Sequence, residues 1–460
     1  MPHATLALVF PASGMNHSPS TQPPALLAGG ATVDLTPLGA VFLYGYPHVR
    51  RFSTGVHDPL ECDALYLNSG DGQLLFLAND LIVVTKALTQ EVRRRIHDRT
   101  GVPENRIMIT ATHTHSGPIV TNYVSNAADP VVPSADPTLV AGLVDRMVEA
   151  AEMAVRTAVP AEIGLELARA EGVGSNRHDP AGPADPAVPI LVARSLATRQ
   201  PVACMIVYGM HPTVLHEDST LISGDFPHFT RQFLRGSVLP ASCPVLFQQG
   251  ASGDQSPRHV ARANTFAEAR RLGENLGRVL ATRIPEIEYR RDAELGCRDR
   301  HLNLEVRQFP AAAAASQAVT SARARFGQLQ ASGAARQAVR TAECDAFGAE
   351  ETAELARAVT DGRLDAAIAG CMPAEIQIAT IGPWNFVAWP GEVFVEYALT
   401  LKRGAPNTFL VTLANGELQG YLVTPDAATQ GFYEAGNAIF SPTNGARLMA
   451  ATLDLLGVKR

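Results

Sequence analysis

The sequence lacks an apolar run long enough to form a membrane-spanning helix. Such a helix takes about eighteen consecutive apolar residues, and no stretch of this 460-residue chain approaches that length. The short apolar run near the N-terminus has no Lys or Arg before it and is followed directly by Pro11, so it makes a poor secretory signal. We therefore expect a protein without a membrane span that works in the cytoplasm, with a secreted or periplasmic location as the alternative.

Patterned cysteines and basic patches are also scarce. The six cysteines are scattered, with no CxxC pair and no metal-like spacing, which predicts free thiols in a reducing compartment. Cys344 and Cys371 flank a helical stretch and could pair if the protein were exported. The one dense basic run is RRR at 93–95, which we assign to the solvated face of a helix. Together with a formal net charge of -7, this argues against nucleic-acid binding.

What remains is a globular composition, 46% hydrophobic and 18% charged, that can bury a sizeable core. Residues 1–30 are rich in Pro, Ser and Ala and read as a loose leader. From residue 31, strand-like stretches such as QLLFLAND alternate with amphipathic helices, one over KALTQEVRRRIHDRTG and one over 137–157. This alternation predicts an α/β fold with a mixed β-sheet core flanked by helices.

An Ala-rich helical segment interrupts the pattern at about 310–370. It predicts two or three helices, with turns near Gly333 and at Phe347 to Gly348. Strands then return as EIQIATIG, NFVAWPGE and NTFLVTLAN, and a last helix covers ARLMAATLDLLG. We expect a single domain over 31–460 that carries this helical insertion, because the later strands are too few to form a core alone.

Two histidines follow an apolar segment in ATHTHSGP at 111–118. If the strand continued through them, His113 and His115 would share one of its faces, roughly 6.5 Å apart. Neutral imidazoles bind metals and exchange protons near pH 7, so one could hold a metal while the other moves a proton. The alternative is a pair of surface histidines that cap a turn.

Three further segments place polar residues where an apolar stretch ends. His211 in VYGMHPTVL precedes a proline and could equally be a turn residue. Glu392 in FVAWPGEVFVEY is either a metal ligand or a carboxylate in the first turn of a helix. Ser256 in FQQGASGDQSPR lies among small residues that leave N–H groups free, as an oxyanion site needs, but an ordinary glycine-rich turn has the same composition.

Two more segments have similar alternatives. Arg177 in VGSNRHD could bind a substrate or form a surface ion pair. Tyr421 and Tyr433 lie twelve residues apart in a glycine-rich stretch, where aromatic packing is the structural alternative. Taken singly, none of these segments decides between chemistry and structure.

Together and in this order, the motifs resemble those of the neutral ceramidases, zinc-dependent amidases that hydrolyse the N-acyl bond of ceramides. The resemblance covers most of the chain. It runs through DLTP at 34–37, ATHTHSGP, the NR of 176–177, GMHPT, SGDFP at 223–227, GASGDQSP, PGE, GYLVT and the FYE of 432–434. It implies a ceramidase-like catalytic domain.

The resemblance also implies a site with one Zn²⁺ ion per chain. Its ligands would be His113, His211, Glu392 and Tyr421. An open coordination position for water would make this a catalytic zinc, and the metal charge would lower the pKa of the tyrosine ligand. His115 would exchange protons beside the metal, Arg177 and Tyr433 would polarise or anchor the scissile carbonyl, and Ser256 corresponds to a serine considered a nucleophile in the family.

The sequence departs from the family pattern around the substrate. Ile119 and Val120 stand where glycines are usual, Arg258 follows the SP of GDQSP, and the family's β-rich C-terminal domain is not seen. We expect a zinc-dependent amidohydrolase for a linear or cyclic small amide or N-acyl compound other than ceramide. An esterase or lactonase, acyl transfer through Ser256, and an inactive zinc-stabilised binding protein are the alternatives; the oligomeric state is open.

Overall fold

The computed structural model describes residues 26–46 and 48–458, so most of the expected leader, residues 1–25, lies outside the described residues. The strands are β1 (Leu27–Asp34), β2 (Gly55–Val56), β3 (Glu61–Asn68), β4 (Gln73–Asn79), β5 (Ile107–Ala111), β6 (Val159–Arg169), β7 (Ser175–Asn176), β8 (Ala187–Ser195), β9 (Pro201–Tyr208), β10 (Leu221–Ile222), β11 (Val245–Gln249), β12 (Gln255–Ser256), β13 (Leu295–Leu302), β14 (Ala374–Ile381), β15 (Trp384–Ala388), β16 (Glu392–Val393), β17 (Thr408–Val411) and β18 (Tyr421–Leu422). The helices are α1 (Lys86–Thr100), α2 (Pro137–Arg156), α3 (Asp225–Ser237), α4 (Phe266–Arg283), α5 (Ala312–Ala331), α6 (Arg336–Thr360), α7 (Arg363–Cys371), α8 (Val395–Gly404), α9 (Pro425–Gln430), α10 (Tyr433–Asn437) and α11 (Asn444–Leu455).

Two sheets carry the architecture. The larger has eight strands in the order β11-β9-β8-β6-β1-β3-β4-β5, and it is mixed, since β4 with β5 and β9 with β11 are parallel pairs. The smaller has the order β13-β14-β15-β17. Apolar side chains of both sheets, such as Phe76 and Phe386, share one core cluster. The α/β architecture with helices around a mixed sheet is confirmed.

Helices α1 and α2 lie on one part of the larger sheet. In α1, Leu88, Val92 and Ile96 recur every four residues and are buried, which places them on one face. The hydroxyl of Thr85 caps its N-terminus by accepting from the N–H of Leu88, and Gly101 ends it with a φ of 75°. The sequence predicted this helix and α2 to within a residue or two.

The larger sheet curls until its two edge strands meet. The hydroxyl of Thr110 on β5 donates to Oε1 of Gln248 on β11. The chain after β17 binds both edges, because the N–H of Thr412 donates to Gln249 and the N–H of Ala111 donates to Leu413. The ends of β5, β11 and β17 therefore come together, although β5 and β11 are at opposite ends of the strand order.

Three helices, α5 to α7, occupy the Ala-rich segment, and Gly333 lies in the turn between α5 and α6 as expected. The prediction of a turn at Phe347 and Gly348 was wrong, since both residues lie inside α6. Gly348 is tolerated there because the ring of Tyr433 packs against it, and an added Cβ would lie 2.9 Å from Cδ2 of that ring.

Two other features bear on the expectations. Arg93 is buried and pairs with Glu375 on β14 through two hydrogen bonds, so its assignment to a solvated helix face was wrong. All six cysteines are free thiols. None of the helices in the described part of the chain is both long and apolar enough to cross a membrane.

Candidate active site

His113 and His115 stand just beyond β5, which ends at Ala111. His113 adopts a left-handed conformation with a φ of 70°, so the strand periodicity assumed for the pair does not continue through it. Instead, the turn brings the two imidazoles edge to face, with ring centroids 4.9 Å apart and Nε2 atoms 3.4 Å apart. The prediction of a shared strand face was wrong, although the two rings still meet at one place.

His211 and Glu392 complete the cluster from other parts of the chain. His211 follows β9, and Glu392 forms β16 rather than the start of the next helix, which begins at Val395. One carboxylate oxygen of Glu392, Oε2, lies 3.0 Å from Nε2 of His211 and 3.2 Å from Nε2 of His113. The available ligand nitrogens of His113, His115 and His211 lie within 4.8 Å of one another.

The hydrogen bonds of two of these imidazoles fix their tautomers. Nδ1 of His113 lies 2.7 Å from the carbonyl of Ile82, and Nδ1 of His211 lies 2.7 Å from the carbonyl of Ser252. Since a carbonyl can only accept, each Nδ1 carries a proton, and in the neutral imidazole each Nε2 presents a lone pair. Burial also lowers the pKa of His211 to about 4, which keeps it neutral at pH 7.

Two lone pairs therefore face a carboxylate oxygen in a buried space. Burial raises the pKa of the Glu392 carboxyl, whereas an imidazole that donates from Nε2 lowers it well below its usual range. With both imidazoles neutral no such donor is present, and the two Nε2 lone pairs and the carboxylate oxygen repel one another unless a proton or a metal ion lies among them. The donor set fits a metal ion, and nitrogen and oxygen ligands of this kind suit zinc.

Tyr421 reaches the cluster through β18, which pairs in parallel with β16 so that Glu392 and Tyr421 are register partners. Its ring centroid lies 6.5 Å from that of His211. Burial raises the pKa of the Tyr421 hydroxyl well above its usual range, and the nearby charge of Arg177 offsets only part of this. Without a bound cation the hydroxyl is therefore protonated.

Arg177 and Tyr433 lie beside Tyr421. The guanidinium carbon of Arg177 is 5.3 Å from the centroid of the Tyr421 ring and 5.9 Å from that of Tyr433. Arg177 is paired with the fully buried carboxylate of Glu434, which Nε2 of His178 also contacts at 3.0 Å. The alternative of a surface ion pair for Arg177 is wrong. Glu434 belongs to the FYE motif but had no predicted role, and its carboxylate holds Arg177 in place.

Ser256 forms β12, next to β7 and the chain that leads to Arg177. Its hydroxyl accepts from the N–H of Arg258 and caps a short 3₁₀ turn. Within the described chain, no imidazole or carboxylate hydrogen-bonds this hydroxyl. The preceding loop approaches Glu392 closely because Gly253, which has no Cβ, donates its N–H to the carbonyl of Val393.

His115 lies at the wall of a cavity of about 100 Å³. Burial, followed by the neighbouring imidazoles His113 and His211, lowers the pKa of His115 well below its usual value, so it is neutral at pH 7. Gly45 packs directly on its ring, where an added Cβ would come within 2.5 Å. Sequence reasoning missed this contact, because nothing in the pattern around Gly45 points to a distant ring.

The same cavity is closed by α6. Arg340, Cys344 and Phe347 line it, and their spacing of four and three residues puts them on one helix face. Besides His115, five of the predicted site residues line this cavity: His211, Ser256, Arg177, Tyr421 and Tyr433. All eight predicted site residues therefore lie at or beside one cavity, and the helical insertion supplies part of its wall.

Comparisons with known proteins show the family to which the chain belongs. Residues 26–259 match the family model described as neutral/alkaline non-lysosomal ceramidase, N-terminal. A neutral ceramidase of Mycobacterium tuberculosis is 28% identical over 248 residues, which is 47% of this chain and 37% of that protein. A neutral ceramidase of Oryza sativa subsp. japonica is 29% identical over 96 residues, 20% of this chain and 12% of that protein. The aligned segments thus span well under two thirds of either relative.

Among solved structures, the neutral ceramidase of Pseudomonas aeruginosa superposes with a TM-score of 0.72 at 17% identity, covering 94% of this chain and 74% of that one. A structure described as ceramidase complexed with C2 gives a TM-score of 0.71 at 18% identity, with 94% and 75% covered. At these identities the likeness establishes the fold.

Proposed function

Since this chain belongs to the neutral/alkaline non-lysosomal ceramidase family, we propose that it hydrolyses an amide bond with a metal ion held by His113, His211 and Glu392. Tyr421 is the fourth protein ligand in this proposal, and the metal is one Zn²⁺ ion. The substrate is a small amide or N-acyl compound rather than ceramide itself. Water adds across the C–N bond, so the products are a carboxylic acid and an amine.

One observation carries the proposal: the Nε2 atoms of His113 and His211 converge on the same oxygen of Glu392. Both imidazoles donate their other N–H to backbone carbonyls, which is how metal-binding histidines are usually oriented. Without a metal, one of the Nε2 atoms would have to carry a proton and donate it to Glu392, although burial lowers the pKa of His211 to about 4. A bound metal resolves the repulsion and, in catalytic sites of this kind, lowers the pKa of its water from 15.7 toward about 7 and polarises a carbonyl.

The surrounding residues supply the proton transfers and the oxyanion contacts. His115 is neutral at pH 7 and can take a proton from the attacking water and deliver it to the leaving nitrogen, which an amide requires because an amine anion is a poor leaving group. Arg177 stays cationic through Glu434, so it can stabilise negative charge on the carbonyl oxygen. Tyr433 lies within the same cavity and can donate its hydroxyl proton to that oxygen.

The second candidate is acyl transfer through Ser256, because this serine lines the same cavity. An activated serine needs a base within hydrogen-bonding reach, whereas the hydroxyl of Ser256 caps a turn. This favours a role in positioning the substrate. An acyl-enzyme would give a burst of amine release equal to the enzyme concentration, and direct attack of water would give none.

Metal content and hydrolysis test the proposal together. Wild type and His113→Ala are purified without added metal, and their zinc is measured by plasma mass spectrometry alongside hydrolysis of ceramide, N-acyl amino acids and simple amides. We expect about one zinc per chain in wild type and loss of both metal and activity in His113→Ala. His301→Ala, a change at an exposed histidine, is the control and should keep both. A wild type that binds no supplied zinc would contradict the ligand assignment.

A further inference from the structure

Three arginines line the cavity beside the histidine cluster, and their partners differ. Arg177 is paired with Glu434, and Arg340 is paired with Glu217 at 2.8 Å and Glu343 at 2.7 Å. These carboxylates balance the two arginines, so neither has to be neutralised by a substrate.

Arg258 is different. Among the described residues, no carboxylate forms a salt bridge with it, and its one side-chain hydrogen bond runs from a terminal nitrogen to the sulfur of Cys344 at 3.5 Å. Asp345, the residue after Cys344 on α6, is near enough for the charge of Arg258 to act on it, but the two side chains form no salt bridge. Arg258 thus presents an unbalanced, partly exposed cation to the cavity.

The backbone of Arg258 is held by its N–H, which donates to the hydroxyl of Ser256. It stands two residues after Ser256, in the 3₁₀ turn that the hydroxyl of Ser256 caps. The cavity it shares with His115 and His211 has a volume of only about 100 Å³. Since a water molecule takes about 30 Å³ in the liquid, a group bound there lies within a few bonds of the atoms that face the histidines.

On the basis of the proposed amidase function, we propose that the substrate carries a carboxylate within a few bonds of the scissile amide, as N-acyl amino acids do, and that Arg258 binds this carboxylate. A guanidinium presents two parallel N–H donors that match the two oxygens of a carboxylate. The sulfur of Cys344 is a weak acceptor, so a carboxylate would replace it readily. Ceramide has no negative charge and would leave Arg258 unpaired.

The test compares two probes that differ only in the carboxylate. N-acetylalanine has it, and N-ethylacetamide lacks it. We expect the kcat/KM of wild type to favour N-acetylalanine by about tenfold or more, a range typical of charge-assisted hydrogen bonds. In Arg258→Gln the ratio should fall toward one, mainly through a higher KM, and Arg258→Lys should lie between. Arg262→Gln, the same change at an exposed arginine four residues along, should keep the wild-type ratio.

A wild-type ratio that survives in Arg258→Gln would overturn the inference and leave the amidase proposal intact. Binding measured without turnover separates the two ideas further. Calorimetric titration of N-acetylalanine into His113→Ala and into His113→Ala/Arg258→Gln should show binding that the second variant loses at least tenfold. If wild type hydrolyses neither probe but this loss is seen, Arg258 is a carboxylate-binding residue and the amidase proposal fails for N-acyl amino acids. Absence of binding to His113→Ala overturns the inference.

Discussion

Glu392 and Tyr421 are register partners across the two-residue parallel pairing of β16 with β18. Partners in a parallel pair point to the same side of the sheet, so both side chains face the histidine cluster. The pairing is short, yet it joins two segments almost thirty residues apart in the sequence. It brings a carboxylate and a phenol from separate motifs to the same place beside the histidines.

Removal of the Tyr421 hydroxyl tests whether this pairing matters for the metal. Tyr421→Phe keeps the ring and its contact with the Arg177 guanidinium but removes the hydroxyl proposed as a metal ligand. We expect zinc affinity to fall by about tenfold or more, measured by competition with a chromogenic chelator, while the melting temperature of the metal-free protein stays unchanged. Tyr289→Phe, at a tyrosine that does not line the cavity, is the matched control. Equal zinc affinity in both variants would remove Tyr421 from the ligand set.

Local patterns predicted the local structure well. The apolar spacing and end signals of 86–100 and 137–156 gave α1 and α2 almost to the residue. The motifs also supplied six of the residues that line the cavity and the two, His113 and Glu392, that lie beside it. The site residues came from a family resemblance, however, because each motif alone had an ordinary structural explanation.

Contacts between segments that are distant in the sequence could not be predicted from the local patterns. The left-handed φ of His113 follows from its hydrogen bonds to the turn after β4, since its N–H donates to the carbonyl of Leu81. The wall contributed by α6 likewise depends on how an Ala-rich helix docks. The spacing of Arg340, Cys344 and Phe347 could have predicted that they share one helix face. It could not have predicted that this face lines the cavity.

The junction between the edge strands should make a measurable contribution to stability. Thr110→Val removes the hydroxyl that donates to Gln248, and both residues are fully buried. An unsatisfied buried acceptor costs about 1–3 kcal/mol, so the free energy of unfolding should fall by that amount in urea titrations. The double variant Thr110→Val/Gln248→Leu leaves no orphaned polar group and should recover part of the loss. If the double variant is less stable than the sum of its single changes, this account of the junction is wrong.

Glu351 should make stability depend on pH. It is buried on α6 and accepts from Nδ2 of Asn437, and burial raises its pKa to about 8. Below its ordinary pKa of 4.5 it is protonated in both states. Between that value and about 8, the folded state holds a proton that the unfolded state has released, so stability falls as pH rises.

Glu351→Gln resembles the protonated acid at every pH and removes this dependence. The difference in unfolding free energy between the variant and wild type should therefore grow in favour of the variant from pH 5 to pH 8. At about 1.4 kcal/mol per pH unit, the upper limit is a few kcal/mol. Urea titrations at several pH values measure it, and the comparison with wild type cancels the other buried acids. A difference that stays constant with pH would show that Glu351 is ionised in the folded protein.

Gly348 offers the sharpest test of the contact between α6 and the site. An added Cβ would lie 2.9 Å from the Tyr433 ring, closer than side chains approach, so Gly348→Ala should displace Tyr433 and lower kcat. Gly327→Ala, within α5, is the matched control, because no atom lies within 4 Å of its added Cβ.

On helix propensity alone, both substitutions should stabilise their helix by about 1 kcal/mol. We therefore expect Gly327→Ala to raise the melting temperature slightly and keep full activity. Gly348→Ala should lose that gain to the clash and reduce kcat at least tenfold, with zinc content unchanged because Tyr433 is not a proposed ligand. If Gly348→Ala keeps wild-type kcat while its melting temperature rises like that of Gly327→Ala, then Tyr433 takes no part in the reaction or α6 does not hold it in place.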